Sequence, residues 1–368
     1  MTDKQSHFNE PKLRDTLRND LNQPDLFQNI RREFDELQEF YISEEKQTEF
    51  EAMHWGRRWI LVAGWLVRCM LLKLSPLQRL LVIIGSVFVL FDGTMQFGKA
   101  HAQTSVNWHI LGWLFLIFVL MLELKNRILA RSELEAGRSV QRAMMPEPFP
   151  KFSGWSIALS SQPAIEVGGD LVDFIRINST KASIVLGDVS GKGLKAALMM
   201  AKLQTTIRVL AFEFAETVFP MSKLNTIFKR DGVTGMFASL LMTDFTVDGD
   251  TINYINAGHL PPLVVSANGV EEMQKGEPAL GIMTNTEYSQ RSVTLQPGDI
   301  FFAFSDGLSE ARNEYKDLFT TERLKKLLPS LRSHSVDEIS REITSAVERF
   351  VGNSRVHDDF SFIIIKKM

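Results

Sequence analysis

The sequence predicts an α+β fold with mainly antiparallel strands, preceded by a helical transmembrane hairpin. Three observations lead there. Short strand-like runs recur through residues 151–368, with a hairpin signal at Asp248-Gly249-Asp250. Helical patterns gather in clusters instead of alternating one for one with strands. Between residues 59 and 124, apolar side chains form runs unlike those of a soluble domain.

The composition narrows the class. The chain has 368 residues, 45% of them hydrophobic and 23% charged, which is ordinary for a globular protein. A net charge of −3 gives no broad attraction to nucleic acid. The single cysteine, Cys69, excludes an internal disulfide, and no Cys/His spacing suggests zinc.

Residues 1–56 form a polar segment, partly helical or disordered, and carry no secretory leader. Phe27, Ile30, Phe34, Leu37 and Phe40 recur at three- and four-residue intervals, which suits an amphipathic helix.

Residues 57–125 read as a membrane region. Two transmembrane helices are expected at about 80–97 and 107–124, close to the roughly 17–25 residues that span a bilayer. Trp59 to Leu72, interrupted by Arg68, suits an interfacial helix or a third span. A buried hairpin in a soluble domain competes with this, but Phe115 to Met121 is apolar on every face. Arg57, Arg58, Arg68, Lys73 and Arg79 precede the pair, and Lys125, Arg127 and Arg131 follow it. The segment between holds only Lys99. That asymmetry puts both ends in the cytoplasm and makes this a multi-pass protein of the cytoplasmic membrane.

Residues 126–150 are a linker helix that Pro146 and Pro148 stop. Leu122, Leu129, Ala136 and Ala143 keep a seven-residue spacing, as in a homodimer seam or a plain spacer.

Within 151–368, strands are expected at 155–160, 171–177, 183–187, 237–244, 251–256, 262–265, 300–305 and 360–366. Helices are expected at 194–214, 221–229, 322–331 and 336–350. Four aspartates share one local grammar, each at an end of an apolar strand: Asp170, Asp188, Asp306 and Asp358. Asp beside Gly is common turn chemistry at any one site. Four such sites favour a cluster that binds a hard cation, since gathered carboxylates otherwise repel.

The ordered blocks EVGGDLVDF, GDVSGKGLKAALMMA, INAGHLPPLVV, PALGI, LQPGDIFFAFSDGLSEARN and HDDFSFIII resemble the type-2C, metal-dependent (PPM) serine/threonine phosphatases. The resemblance covers roughly 133–368. It is to the bacterial branch of stage II sporulation and sigma-factor regulatory phosphatases. It implies an αββα sandwich, two antiparallel sheets flanked by helices, with two Mn²⁺ or Mg²⁺ ions at one edge. By motif position Asp188 bridges the ions with the Val189 carbonyl, Asp306 and Asp358 hold the first, and Asp170 serves the second. Asp359 is secondary. Catalysis then falls to Asp188, Asp170 and Asp306, through metal-activated water attacking phosphorus in line. Cys69, in the predicted membrane region, does not suit a cysteine nucleophile.

Substrate contacts are less legible. Lys192 between two glycines could meet a phosphate or be a solvated turn residue. His259 could contact substrate or order its own loop before Pro261. Ser160-Ser161-Gln162 offers no arginine where eukaryotic relatives hold phosphate. The resemblance implies hydrolysis of phosphoserine or phosphothreonine on a STAS-like regulatory protein. A catalytically silent phosphoprotein-binding module is the alternative, and its expected mark is a missing metal aspartate.

Overall fold

The computed structural model describes residues 55–90, 94–97, 104–247, 249–354 and 358–368. The amphipathic helix expected around Phe27 to Phe40 lies outside them. The chain divides into two compact units between Arg127 and Ile128.

The first unit holds helices α1 (Trp55–Lys73) and α2 (Pro76–Leu90), strands β1 (Thr94–Phe97) and β2 (Thr104–Asn107), and the start of α3 (Trp108–Met144). The first expected span is shorter than its apolar run. Helix α2 is 15 residues, and Thr94–Phe97 instead pairs antiparallel with Thr104–Asn107. Helix α3 has 37 residues and runs unbroken through the expected linker segment. Among the described residues it alone is long and apolar enough to cross a membrane. Its large side chains Ile110, Trp113, Leu114, Ile117 and Phe118 are all exposed. Phe88 on α2 packs against Trp108 and Phe115, joining the two apolar helices.

The second unit is a four-layer sandwich. Its strands are β3 (Trp155–Gln162), β4 (Asp170–Arg176), β5 (Lys181–Val189), β6 (Ala238–Thr246) and β7 (Thr251–Ala257). They continue with β8 (Leu263–Ser266), β9 (Gly269–Glu272), β10 (Gln290–Thr294), β11 (Ile300–Phe304) and β12 (Phe360–Lys367). One sheet runs β10-β7-β6-β5-β4 and the other β3-β12-β11-β8-β9. Every pairing between these strands is antiparallel. Helices α4 (Leu194–Glu213) and α5 (Met221–Asp231) cover the first sheet. Helices α7 (Thr321–Leu331) and α8 (Val336–Val351) cover the second, and the single turn α6 (Asp306–Ser309) follows β11.

Strand alternation builds the layers. On β11, Phe302 and Phe304 face α7 and α8, while Phe301 and Ala303 face the other sheet. Both faces of that strand are buried, so it reads as an unbroken apolar run. On β5, Ile184 and Leu186 enter the layer between the sheets, and Val185 and Val189 pack under α4. The outer helices α5, α7 and α8 are strongly one-sided. Val336, Ile339, Ile343, Val347 and Val351 line the buried stripe of α8, and Ser335 with Glu338 forms its capping box.

Strands β9 and β10 are absent from the sequence reading. Each is the edge of its sheet, short and partly exposed, so neither carries an apolar run to announce it.

Candidate metal centre

The layer between the sheets ends in acid. Asp170 on β4 stands directly opposite Asp188 on β5 in the antiparallel register. Both have the strand parity of residues that face the second sheet, Val172 and Leu186. Opposed residues on such a pair have Cβ atoms about 4.5–5.5 Å apart, and like charges there destabilise the sheet. The second sheet delivers its own acids to the same place. Asp306 follows β11 and Asp358-Asp359 precedes β12, strands paired through Phe304 and Phe362.

One side chain joins the two sheets at this end. Asp359 Oδ1 accepts from Ala164 N–H at 2.8 Å, and Asp359 Oδ2 accepts from Gly169 N–H at 2.6 Å and Asp170 N–H at 3.4 Å. The approach explains the glycine pair. A Cβ on Gly168 would stand 2.5 Å from Asp359 Oδ2, and one on Gly169 would stand 2.8 Å from the Val189 carbonyl. Gly191 and Gly193, with φ of 98° and 72°, make the turn from β5 into α4 in a region of backbone space that side chains disfavour.

The electrostatics are those of a site short of positive charge. Burial and then the Asp306, Asp358 and Asp359 charges push Asp188 up to about 7, with Lys192 offsetting part. Burial first, with Asp188 and Asp359 adding to it, raises Asp170 well above the carboxylate range, and the Ser361 and Ser305 hydroxyls oppose this. Asp306 is raised by burial, Asp358 and Glu310. Asp170 Oδ2 is buried without a hydrogen-bond partner. Lys192 Nζ lies 3.0 Å from Asp358 Oδ2, at the exposed side of the cluster.

Hard oxygen donors, an orphaned buried carboxylate oxygen and excess negative charge fit a divalent cation. As the side chains stand, no three acidic or imidazole groups among the described residues converge tightly enough to hold one ion. His259 sits in a tightly bonded loop, its ring against Ser239, the residue opposite Asp188 on the neighbouring strand. Its N–H donates to Asn256 Oδ1 at 2.8 Å, its carbonyl accepts from Asn256 Nδ2, and its Nδ1 pairs with Ser239 Oγ at 2.8 Å. Burial pulls its pKa down to about 4.

Sequence reasoning gave Asp359 a secondary place and did not see Gln141. Gln141 near the end of α3 bonds both backbone groups of Gly168. No sequence pattern announces a side chain that acts on a loop 27 residues away.

The family described as Stage II sporulation protein E (SpoIIE) matches residues 178–367, just over half of the chain. The chain belongs to that family. It is 27% identical to Protein IcfG of Synechocystis sp. over 266 residues, 64% of this chain and 41% of that protein. It is 26% identical to Phosphoserine phosphatase RsbU of Bacillus subtilis over 239 residues, 64% of this chain and 70% of that one. The chain thus spans about two fifths of the first relative and somewhat over two thirds of the second. Among solved structures, the SiaA-PP2C domain of Pseudomonas aeruginosa superposes with a TM-score of 0.57 at 17% identity. That match covers 66% of this chain and 98% of that domain. The sandwich is therefore the PP2C phosphatase fold.

Proposed function

We propose that this protein is a metal-dependent serine/threonine phosphatase that removes phosphate from a regulatory protein. The observation that carries the proposal is the placement of Asp170, Asp188, Asp306 and Asp358 at the strand ends on one edge of a PP2C sandwich, where burial first and then the Asp306 and Asp358 charges push Asp188 up to about 7. Two divalent ions, Mn²⁺ or Mg²⁺, would supply a water of lowered pKa and charge neutralisation at the attacking and leaving oxygens. The chain's part is to hold them. Asp188 with the Val189 carbonyl, Asp306, Asp358 and Asp170 are the ligands, and Asp359 fixes the backbone from which Asp170 projects. Lys192, paired with Asp358, is a candidate to meet an incoming phosphate.

Kinship with a phosphoserine phosphatase supports a phosphoserine or phosphothreonine substrate, and a STAS-like regulator is the expected carrier. The exposed apolar turns of α3 support a membrane anchor, and the basic residues flanking the apolar region support a catalytic unit on the cytoplasmic side. The exposed side chains of Ile128, Leu129 and Val140 support a homodimer seam further along that helix. A catalytically silent phosphoprotein-binding module remains the second reading, because the acidic side chains do not converge as a closed ligand set.

The test is release of phosphate from a phosphoserine protein by the full chain. Activity should require Mn²⁺ or Mg²⁺, vanish with chelator, and be lost in Asp188→Asn and Asp306→Asn. A chain with neither tight Mn²⁺ binding nor turnover would select the silent module.

A further inference from the structure

The last turns of α3 are tied to the loop that carries Asp170. Gly168 N–H donates to Gln141 Oε1 at 3.2 Å, and Gln141 Nε2–H donates to the Gly168 carbonyl at 2.9 Å. The primary amide thus engages the glycine as a neighbouring strand would, through one donor and one acceptor. From the other side, Asp359 accepts the next N–H, that of Gly169. Two consecutive peptides are clamped between side chains 27 residues before and 190 residues after them.

The same helix end is fastened a second time. The Met144 carbonyl accepts from Gln204 Nε2 on α4 at 3.0 Å. Arg208, one turn further along α4, makes a two-pronged pair with Asp173 on β4, at 2.7 and 2.8 Å. Strand β4 is therefore linked to the end of α3 at its entry, through Gln141, and in its middle, through Arg208 and α4.

We propose that Gln141 is a positioning residue for the cation site. Its amide fixes the Gly168-Gly169 peptides and so the depth at which Asp170 faces Asp188. Glycines are the loosest residues in any chain, so this pair needs external restraint to present a ligand at a defined height. Restraint of a ligand from outside the coordination sphere is worth about 10–100-fold in metal affinity. A displacement of the helix end that parts the amide from Gly168 lowers cation affinity without touching a ligand. This inference rests on the metal-dependent reading above.

Calorimetric titration of Mn²⁺ into the full chain tests it, together with amide exchange across residues 164–170. In Gln141→Ala, Mn²⁺ affinity should fall about 10-fold and exchange at Gly168 and Gly169 should quicken. Gln141→Glu keeps the acceptor for Gly168 N–H but loses the donor, and should fall between alanine and the parent. It also carries the test if the alanine variant does not fold. A structural role alone would lower melting temperature and leave Mn²⁺ affinity where it was. Parent-like affinity in a folded Gln141 variant overturns the positioning role and leaves the phosphatase reading standing. A parent chain that takes up no Mn²⁺ overturns both.

Discussion

Asp170 and Asp173 stand three residues apart on β4, both buried, and their surroundings could hardly differ more. Asp173 faces α4, where Arg208 gives it two charged hydrogen bonds and Phe174 N–H a third. Asp170, on the opposite face, has a buried oxygen without a partner and two more carboxylates beside it. The first arrangement is how a fold accommodates an internal charge. The second weakens the fold unless something cationic arrives. A carboxylate that is buried but not balanced points to function more sharply than burial alone does.

Three experiments press on that contrast. The largest effect is expected from Asp188→Asn. Phosphatase activity should fall about 1,000-fold, roughly 4 kcal/mol of barrier. Metal-free stability should hold or rise, because one like charge leaves the cluster. A large drop in metal-free melting temperature would place Asp188 among structural acids, with Asp173.

Arg208→Ala should do the reverse. It strands Asp173, whose side chain is only 1% exposed, and should destabilise the domain by about 3 kcal/mol in denaturant titration. The guanidinium is itself 44% exposed, which keeps the effect at the lower end for a broken internal pair. Wild-type stability in this variant would mean that the pair contributes nothing.

The smallest effect concerns His259. Its folded pKa of about 4 lies below the unfolded value of about 6.5. Between those values the unfolded chain binds more protons, so this contribution is intact above pH 6.5 and shrinks as pH falls toward 4. From pH 6.5 to 5 the parent should lose about 1.5 kcal/mol more than His259→Gln does. Parallel stability curves for the two proteins would show that the imidazole is not held neutral.

What the sequence made legible follows from the same physics. Strands buried on both faces, such as Ile300–Phe304 and Phe360–Lys367, announce themselves as apolar runs, and the four aspartates stand out at their ends. Edge strands Gly269–Glu272 and Gln290–Thr294 have one partner and a wet face, so they leave no such mark. The apolar run ending at Phe97 suggested a longer helix, yet its last four residues pair with Thr104–Asn107. Asp359 and Gln141 act on backbone N–H and carbonyl groups, and the identity of an acceptor's partner is invisible when that partner is main chain. The glycines they clamp were visible; the reason for them was not.

Strand β12 follows every other strand of the sandwich in chain order, yet it lies inside its sheet, between β3 and β11. During synthesis from the N-terminus, β3 must therefore wait with an open edge while some two hundred residues are added. The loop just before β12 also carries Asp358 and Asp359. Hydrolytic competence and closure of the second sheet should thus arrive together, so that an unfinished nascent chain is inert toward its substrate.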